Sequence, residues 1–123
     1  MRDVMMEKVG IYRKGPAMTE AVGQIAALRE AYRAVRAQDA SRGFNTDVLE
    51  ILELGHLLDL SLLTAASAQA RTESRGGHAR EDYPQRDDQR WLKHTLAWLE
   101  GDRVHLGYKG VDVTVWQPKP RTY

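Results

Sequence analysis

Asn45-Thr46-Asp47-Val48-Leu49-Glu50-Ile51-Leu52-Glu53-Leu54-Gly55-His56-Leu57-Leu58-Asp59-Leu60-Ser61-Leu62-Leu63 is the stretch on which the fold turns. Asn45 or Asp47 can cap a helix with a side-chain oxygen, and Glu50 follows Asp47 in capping-box spacing. Leucine, isoleucine and valine then recur so densely that little polar circumference is left. A helix that is apolar nearly all round is buried centrally or lies at an interface. The small residues Ala65, Ala66, Ala68 and Ala70 follow, and with Gly55 they let another backbone come close. The pattern predicts a helix over residues 45–71, with Leu54 and Leu58 in the core. His56 and Asp59 share a face of it, as an acid/base dyad or as a hydrogen-bonded core histidine. No nucleophile with a third orienting group is recognisable beside them, which favours the packing role.

Upstream, Val4, Met5, Val9 and Tyr12 make a partial apolar stripe, predicting a short helix over residues 2–13 that Gly15-Pro16 ends. Thr19 is a candidate N-cap for a second helix reaching about residue 38. Val22, Ile25, Leu28, Tyr32 and Val35 form its apolar face, and Ala21, Ala27 and Ala31 allow close approach of a neighbour. Arg29, Arg33 and Arg36 share the other side. Such a row grips an acidic partner or faces water, and with no aromatic residue interleaved the solvated face is the expectation. Residues 39–44 are the break, with Ser41 and Gly43 as turn residues.

Downstream lies the densest chemistry in the chain: Glu73-Ser74-Arg75-Gly76-Gly77-His78-Ala79-Arg80-Glu81-Asp82-Tyr83-Pro84-Gln85-Arg86-Asp87-Asp88. Gly76-Gly77 and Pro84 argue against regular helix or strand. The stretch is either a solvated linker or a docking surface, because arginine forks match carboxylates in bidentate geometry. Arg75, His78, Arg80, Glu81, Asp82, Arg86, Asp87 and Asp88 are the candidate docking residues. Residues 89–99 start as a short helix or run directly as a strand. Gly101-Asp102 signals a turn, Val104, Leu106 and Tyr108 alternate in a strand, and Val111, Val113 and Val115 alternate again after Gly110. Pro118 and Pro120 end regular structure, leaving Arg121-Thr122-Tyr123 as an extended tail.

The fold class expected is mainly α. Residues 1–72 form a three-helix bundle, up-down-up as in a spectrin repeat. Residues 73–123 supply the charged loop, a small antiparallel β element and the tail, packed on the same domain. Eighteen basic and seventeen acidic residues give a net charge of +1, which is no field for nucleic acid. Cysteine is absent, so there is no disulfide, thiolate or cysteine-bound metal. Met1-Arg2-Asp3 with no apolar run after it is not the pattern of a secretory leader, and no stretch is long and apolar enough for a membrane span. Neither a Gly-x-Gly-x-x-Gly turn nor a Walker loop occurs. Glu81-Asp82 and Asp87-Asp88 are adjacent and would point to opposite faces of a strand, poor geometry for a carboxylate pair. No catalytic, cofactor-binding or metal-binding residue is assigned.

The run from Glu73 to Pro84, then Arg86-Asp87-Asp88, then Trp91-Leu92-Lys93-His94-Thr95, resembles the C-terminal region of succinate dehydrogenase and fumarate reductase flavoprotein subunits. Asn45-Thr46-Asp47, Glu53-Leu54 and Arg121-Thr122-Tyr123 fit as well, so the resemblance covers nearly the whole chain. It departs at Gly110, where the family more often has proline before a valine, here Val111. L-aspartate oxidase shares a similar Glu-Ser-Arg-Gly turn, but Arg86-Asp87-Asp88 and Trp91-x-Lys93-His94-Thr95 favour the dehydrogenase branch. The resemblance implies a helical scaffold and docking domain of a bacterial succinate–fumarate oxidoreductase that passes electrons to quinone. FAD and the dicarboxylate-binding side chains would belong to the flavin and capping domains, which lie earlier in the subunit. Those domains and the iron–sulfur subunit are the implied partners, at the cytoplasmic face of a membrane, with no nucleic acid and no direct membrane insertion. The isolated chain is expected to be inactive. The contrasting reading is a free-standing helical adaptor that binds an acidic partner through Arg29, Arg33 and Arg36.

Overall fold

The computed structural model describes residues 1–119; the expected tail Arg121-Thr122-Tyr123, with Pro120, lies outside them. The elements run α1 (Arg2–Lys8), β1 (Tyr12–Arg13), α2 (Gly15–Tyr32), α3 (Thr46–Ala70), β2 (Ala79–Arg80), α4 (Asp88–Trp91), β3 (Lys93–Glu100) and β4 (Arg103–Gly110). Among the described residues the chain is therefore mixed: four helices, one antiparallel hairpin of β3 and β4, and a two-residue parallel pairing of β1 with β2.

The helical layer is a long α2–α3 hairpin with a seven-residue α1 set against α2, not three helices of comparable length. The expected first helix stops early because long-range pairing takes its second half. Ile11 and Arg13 accept backbone hydrogen bonds from Ala79 and Glu81 at 3.1 and 2.9 Å, which pulls residues 11–13 into an extended path. Gly10 sits at the bend, where a Cβ would stand 2.7 Å from the Met6 carbonyl oxygen. Pro16 does not end a helix; it opens α2, where its missing N–H would have had no partner in any case. Thr19 is inside α2 and donates its hydroxyl back to the Gly15 carbonyl at 3.1 Å. At the other end the helix stops at Tyr32, six residues short of the expected 38, and its last turn tightens to i−3 bonds from Arg33, Ala34 and Val35. Asp47 then accepts from the amides of Gln38 and Asp39 and ties the connector to the start of α3. Asn45 caps α3, its Oδ1 accepting from Val48 N at 3.0 Å.

The core lies where α2 crosses the C-terminal half of α3. Met18, Ala21 and Ile25 from α2 meet Leu62, Ala65 and Ala68 from α3, with Val9 closing one side and Val4, Met5, Val22, Leu99 and Val104 packed around them. Ala21 and Ala65 are both fully buried, so the backbones approach closely there. Gly55 does a different job: it admits the Tyr32 ring, whose hydroxyl donates to Ile51 O at 2.9 Å. The buried stripe of α3 runs Leu58, Ser61, Leu62, Ala65 and Ala68. Leu54, expected in the core with Leu58, is instead 37% exposed and lies outside the buried stripe.

A two-residue turn, Gly101-Asp102, joins β3 to β4, with Gly101 at φ 60° and Glu100 opposite Arg103. Inward and outward residues alternate along β3, and its inner face lies on α3. No strand forms at Val111, Val113 and Val115; Asp112 accepts from Thr114 N at 2.9 Å and turns the chain instead.

Candidate functional site

Residues 71–88 wrap the C-terminal end of α3, and their hub is Glu73, whose side chain is fully buried. The chain bends at Glu73, and Arg71 and Arg75 converge on its carboxylate from either side. Glu73 accepts from Arg71 Nε at 2.9 Å, from Arg75 Nε at 2.8 Å and Nη2 at 3.0 Å, and from the Asp87 amide at 2.9 Å. Burial alone would push its carboxyl up; the Arg75 fork, the Asp87 amide and Arg71 outweigh it and hold the carboxyl below its usual range. Arg71 also donates to the carbonyls of Lys93 and Trp91 at 2.9 and 2.5 Å, so one side chain ties α3 to the hairpin.

Arg75 continues to Asp88 Oδ1 at 2.6 Å, and Arg86 meets Asp88 Oδ2 at 2.8 Å and the Lys119 carbonyl at 2.7 Å. The Arg75 bond is the first cause that holds Asp88 below the usual carboxylate range. Asp87 caps α4, accepting from the amides of Gln89 and Arg90. Gly76, at φ 57°, takes the first central position of a tight turn in which Arg75 and His78 exchange backbone hydrogen bonds.

Arg80 is the second anchor, with only 3% of its side chain exposed. It donates to the α3 end carbonyls of Gln69 and Arg71 at 3.0 Å each and forks onto both oxygens of Asp82 at 2.7 Å. It therefore supplies positive charge to the negative end of the α3 dipole and satisfies carbonyls that have no helical partner. The Arg80 fork holds the Asp82 carboxyl far below its usual range, and Asp82 Oδ2 also accepts the Gly15 amide at the start of α2. Through Asp82 the Arg80 side chain therefore braces the end of α3 against the start of α2. Glu81 is half exposed and meets Lys14 at 3.0 Å.

His78 lies 2.6 Å from Arg13 Nη1 through Nδ1 and 3.0 Å from the Arg71 carbonyl through Nε2. Arginine can only donate, so Nδ1 accepts and the proton sits on Nε2. Burial lowers the imidazole pKa, Arg13, Arg80 and Arg71 push it the same way, and the Arg71 carbonyl opposes them, leaving the ring neutral.

The arginine row of α2 is engaged within the chain. Arg29 Nε donates to Asp59 at 2.7 Å and Arg33 Nη2 to both oxygens of Asp102 at 2.7 Å, so the row clamps α3 and the hairpin turn. His56 is exposed and Asp59 is taken by Arg29, so the two form no dyad. Nothing local in the sequence marks Arg13, Arg71 or Lys93 as neighbours of this loop, or Asp102 as the partner of Arg33.

Flavin does not fit these residues. Its diphosphate needs a glycine-rich turn opening onto a helix N-terminus, whereas Gly76-Gly77 follows the C-terminal end of α3 in a closed turn. Among the described residues no three His, Asp or Glu side chains converge as metal ligands, and no helix is long and apolar enough to cross a membrane.

A long α2–α3 hairpin, braced by arginine–carboxylate pairs and covered by an antiparallel β hairpin, makes this a small mixed helical domain. Known proteins share its sequence and its fold. The family described as fumarate reductase flavoprotein C-term matches residues 1–123. The fumarate reductase flavoprotein subunit of Haemophilus influenzae is 48% identical over 124 residues, covering 100% of this chain and 21% of that protein. The succinate dehydrogenase flavoprotein subunit of Rickettsia conorii is 44% identical over 93% of this chain and 19% of its own length. A solved structure of a mutant E. coli quinol fumarate reductase superposes with a TM-score of 0.92 at 43% identity, over 98% of this chain and 21% of that one. The chain belongs to the C-terminal domain family of succinate dehydrogenase and fumarate reductase flavoprotein subunits. It spans about a fifth of the length of these relatives.

Proposed function

We propose that this chain serves as the scaffold and docking domain of a succinate–fumarate oxidoreductase flavoprotein subunit, a single domain in which residues 73–123 pack on an abbreviated three-helix unit. FAD and the catalytic groups belong to the flavin and capping domains, with the iron–sulfur subunit as the further partner. The complex passes electrons to or from quinone at the cytoplasmic face of a membrane. Arg75, His78, Arg80, Glu81, Asp82, Arg86, Asp87 and Asp88 order the chain's path and shape the docking face.

One observation carries the docking reading. Leu49, Leu52 and Leu60 share the side of α3 opposite its buried stripe, and they are 54%, 54% and 60% exposed. A long helix with an apolar outer stripe is built to be covered, since each Å² removed from water contributes about 25 cal/mol. The adaptor alternative loses its main support because Arg29 and Arg33 are spent inside the chain.

The test is a chimera in which this chain replaces the matching fifth of the H. influenzae subunit. The chimera is expected to purify with bound flavin and to reduce a dye with succinate, and Leu52→Glu with Leu60→Glu to abolish flavin retention. A chimera that never retains flavin, or one indifferent to both glutamates, overturns the proposal.

A further inference from the structure

An open groove of about 730 Å³ lies between β1, the last turns of α3 and the start of β3. Its walls carry Arg13, Arg71, Arg75, His78 and Lys93, and no carboxylate lines it among the described residues. Two of its cations are already neutralised, because Arg71 and Arg75 share the buried Glu73. Arg13 and Lys93 are not: among the described residues neither meets a carboxylate. Arg13 is half-buried, with Nε on the carbonyls of Val9 and Gly10 and Nη1 on His78; its Nη2 has no partner among those residues. The Lys93 ammonium rests on ring faces alone, 4.0 Å from the Tyr108 centroid and 4.7 Å from that of Trp91. A half-buried guanidinium without a counter-charge is costly unless an anion completes it. Here burial and the nearby Arg80 both disfavour the charged form of Arg13. Both cations are held in place by neutral groups, so an incoming anion would lose little freedom in ordering them. Leu63, Ala68, Leu92 and Val111 add an apolar strip beside the charges.

We propose that this groove seats an acidic peptide segment from the four-fifths of the flavoprotein subunit outside the matched region, its carboxylates pairing with Arg13 and Lys93 and a neighbouring apolar side chain lying on the strip. The proposal rests on the docking function above and adds a second, charged contact to the leucine stripe of α3. The groove and the stripe are contiguous, since Leu63 follows Leu60 on the outer side of α3 and lines the groove.

The experiment uses the H. influenzae chimera treated with a water-soluble carbodiimide, which joins an amine to a carboxylate only where the two are in contact. Proteolysis and mass spectrometry are expected to find Lys93 linked to an Asp or Glu outside the matched region. Arg13→Gln should lower the yield of that link at least severalfold, and Lys93→Arg, which keeps the charge but cannot form the amide, should remove it. Lys93 recovered unlinked, or linked only within this chain, overturns the proposal. Radical footprinting of Leu49, Leu52 and Leu60 in the same sample, referenced to the urea-unfolded chimera, separates the two ways of failing. Protected leucines with an unlinked Lys93 refute the groove alone, whereas unprotected leucines refute the docking function with it.

Discussion

Glu73→Gln is the substitution that probes the bracing of this domain most sharply. It keeps the shape of the side chain, removes the charge, and turns an amide group toward guanidinia that previously met oxygen. The carboxylate is fully buried, while Arg71 and Arg75 retain 15% and 27% side-chain exposure. Removing one partner of a buried pair costs about 3–5 kcal/mol because the other charge is left uncompensated. Partial rehydration of the two arginines places the expected loss near the lower end, about 3 kcal/mol, a large share of the ~5–15 kcal/mol that domains possess. Equilibrium urea unfolding followed by tryptophan fluorescence is a suitable assay, since Trp91 is 8% exposed and stacks with Arg71 at 5.3 Å. The midpoint should fall with little change in slope. Glu53→Gln, on the exposed part of α3, is the control and should stay within about 0.5 kcal/mol of the parent. If Glu73→Gln also stays within about 0.5 kcal/mol, the buried hub is not what holds residues 71–88 on α3.

Four further outcomes are expected. Leu58→Ala should cost about 2–5 kcal/mol by the same assay and Leu54→Ala under about 1 kcal/mol, because only Leu58 lies in the packed stripe. His78 is neutral in the fold with a lowered pKa, so the unfolded chain takes up that proton first. Stability should then fall as pH drops below about 6.5, and His78→Gln should flatten that part of the profile. The carboxyls of Glu73 and Asp82 are also lowered, so their stabilisation is complete above about pH 4–5 and is lost in a separate, more acidic window as the folded carboxylates protonate. Asp102→Asn releases an exposed ion pair with Arg33, so its effect should be small at low salt and vanish in molar sodium chloride.

The long helix was legible because its pattern is dense and its cap is local: Asn45 and the run to Ala70 lie within one turn of the expected bounds. The hairpin was legible for the same reason, since Gly101-Asp102 and the alternation around it are neighbours in sequence. What local pattern hides is a contact that closes a long loop. The first helix was expected to reach residue 13 because nothing near Tyr12 announces that Ala79 will pair with it. Leu54 reads as core because a helix apolar nearly all round does not say which of its residues a partner covers. In the candidate site, the residue types of the charged loop were visible but their geometry was not. The residue type marks Arg80 as a docking candidate but does not reveal that its guanidinium folds onto the end of α3. Arg29 and Arg33 were expected to face water, and their partners Asp59 and Asp102 lie 30 and 69 residues further along.

The central claim is that this chain supplies surface and bracing while the chemistry lies elsewhere in the subunit. Its most direct test is to titrate the purified chain with FAD, following flavin fluorescence, and then to add succinate and a dye acceptor. The account predicts no saturable quenching and no succinate-dependent dye reduction. Saturable flavin binding in the micromolar range, or any succinate-dependent reduction of the dye, would contradict it.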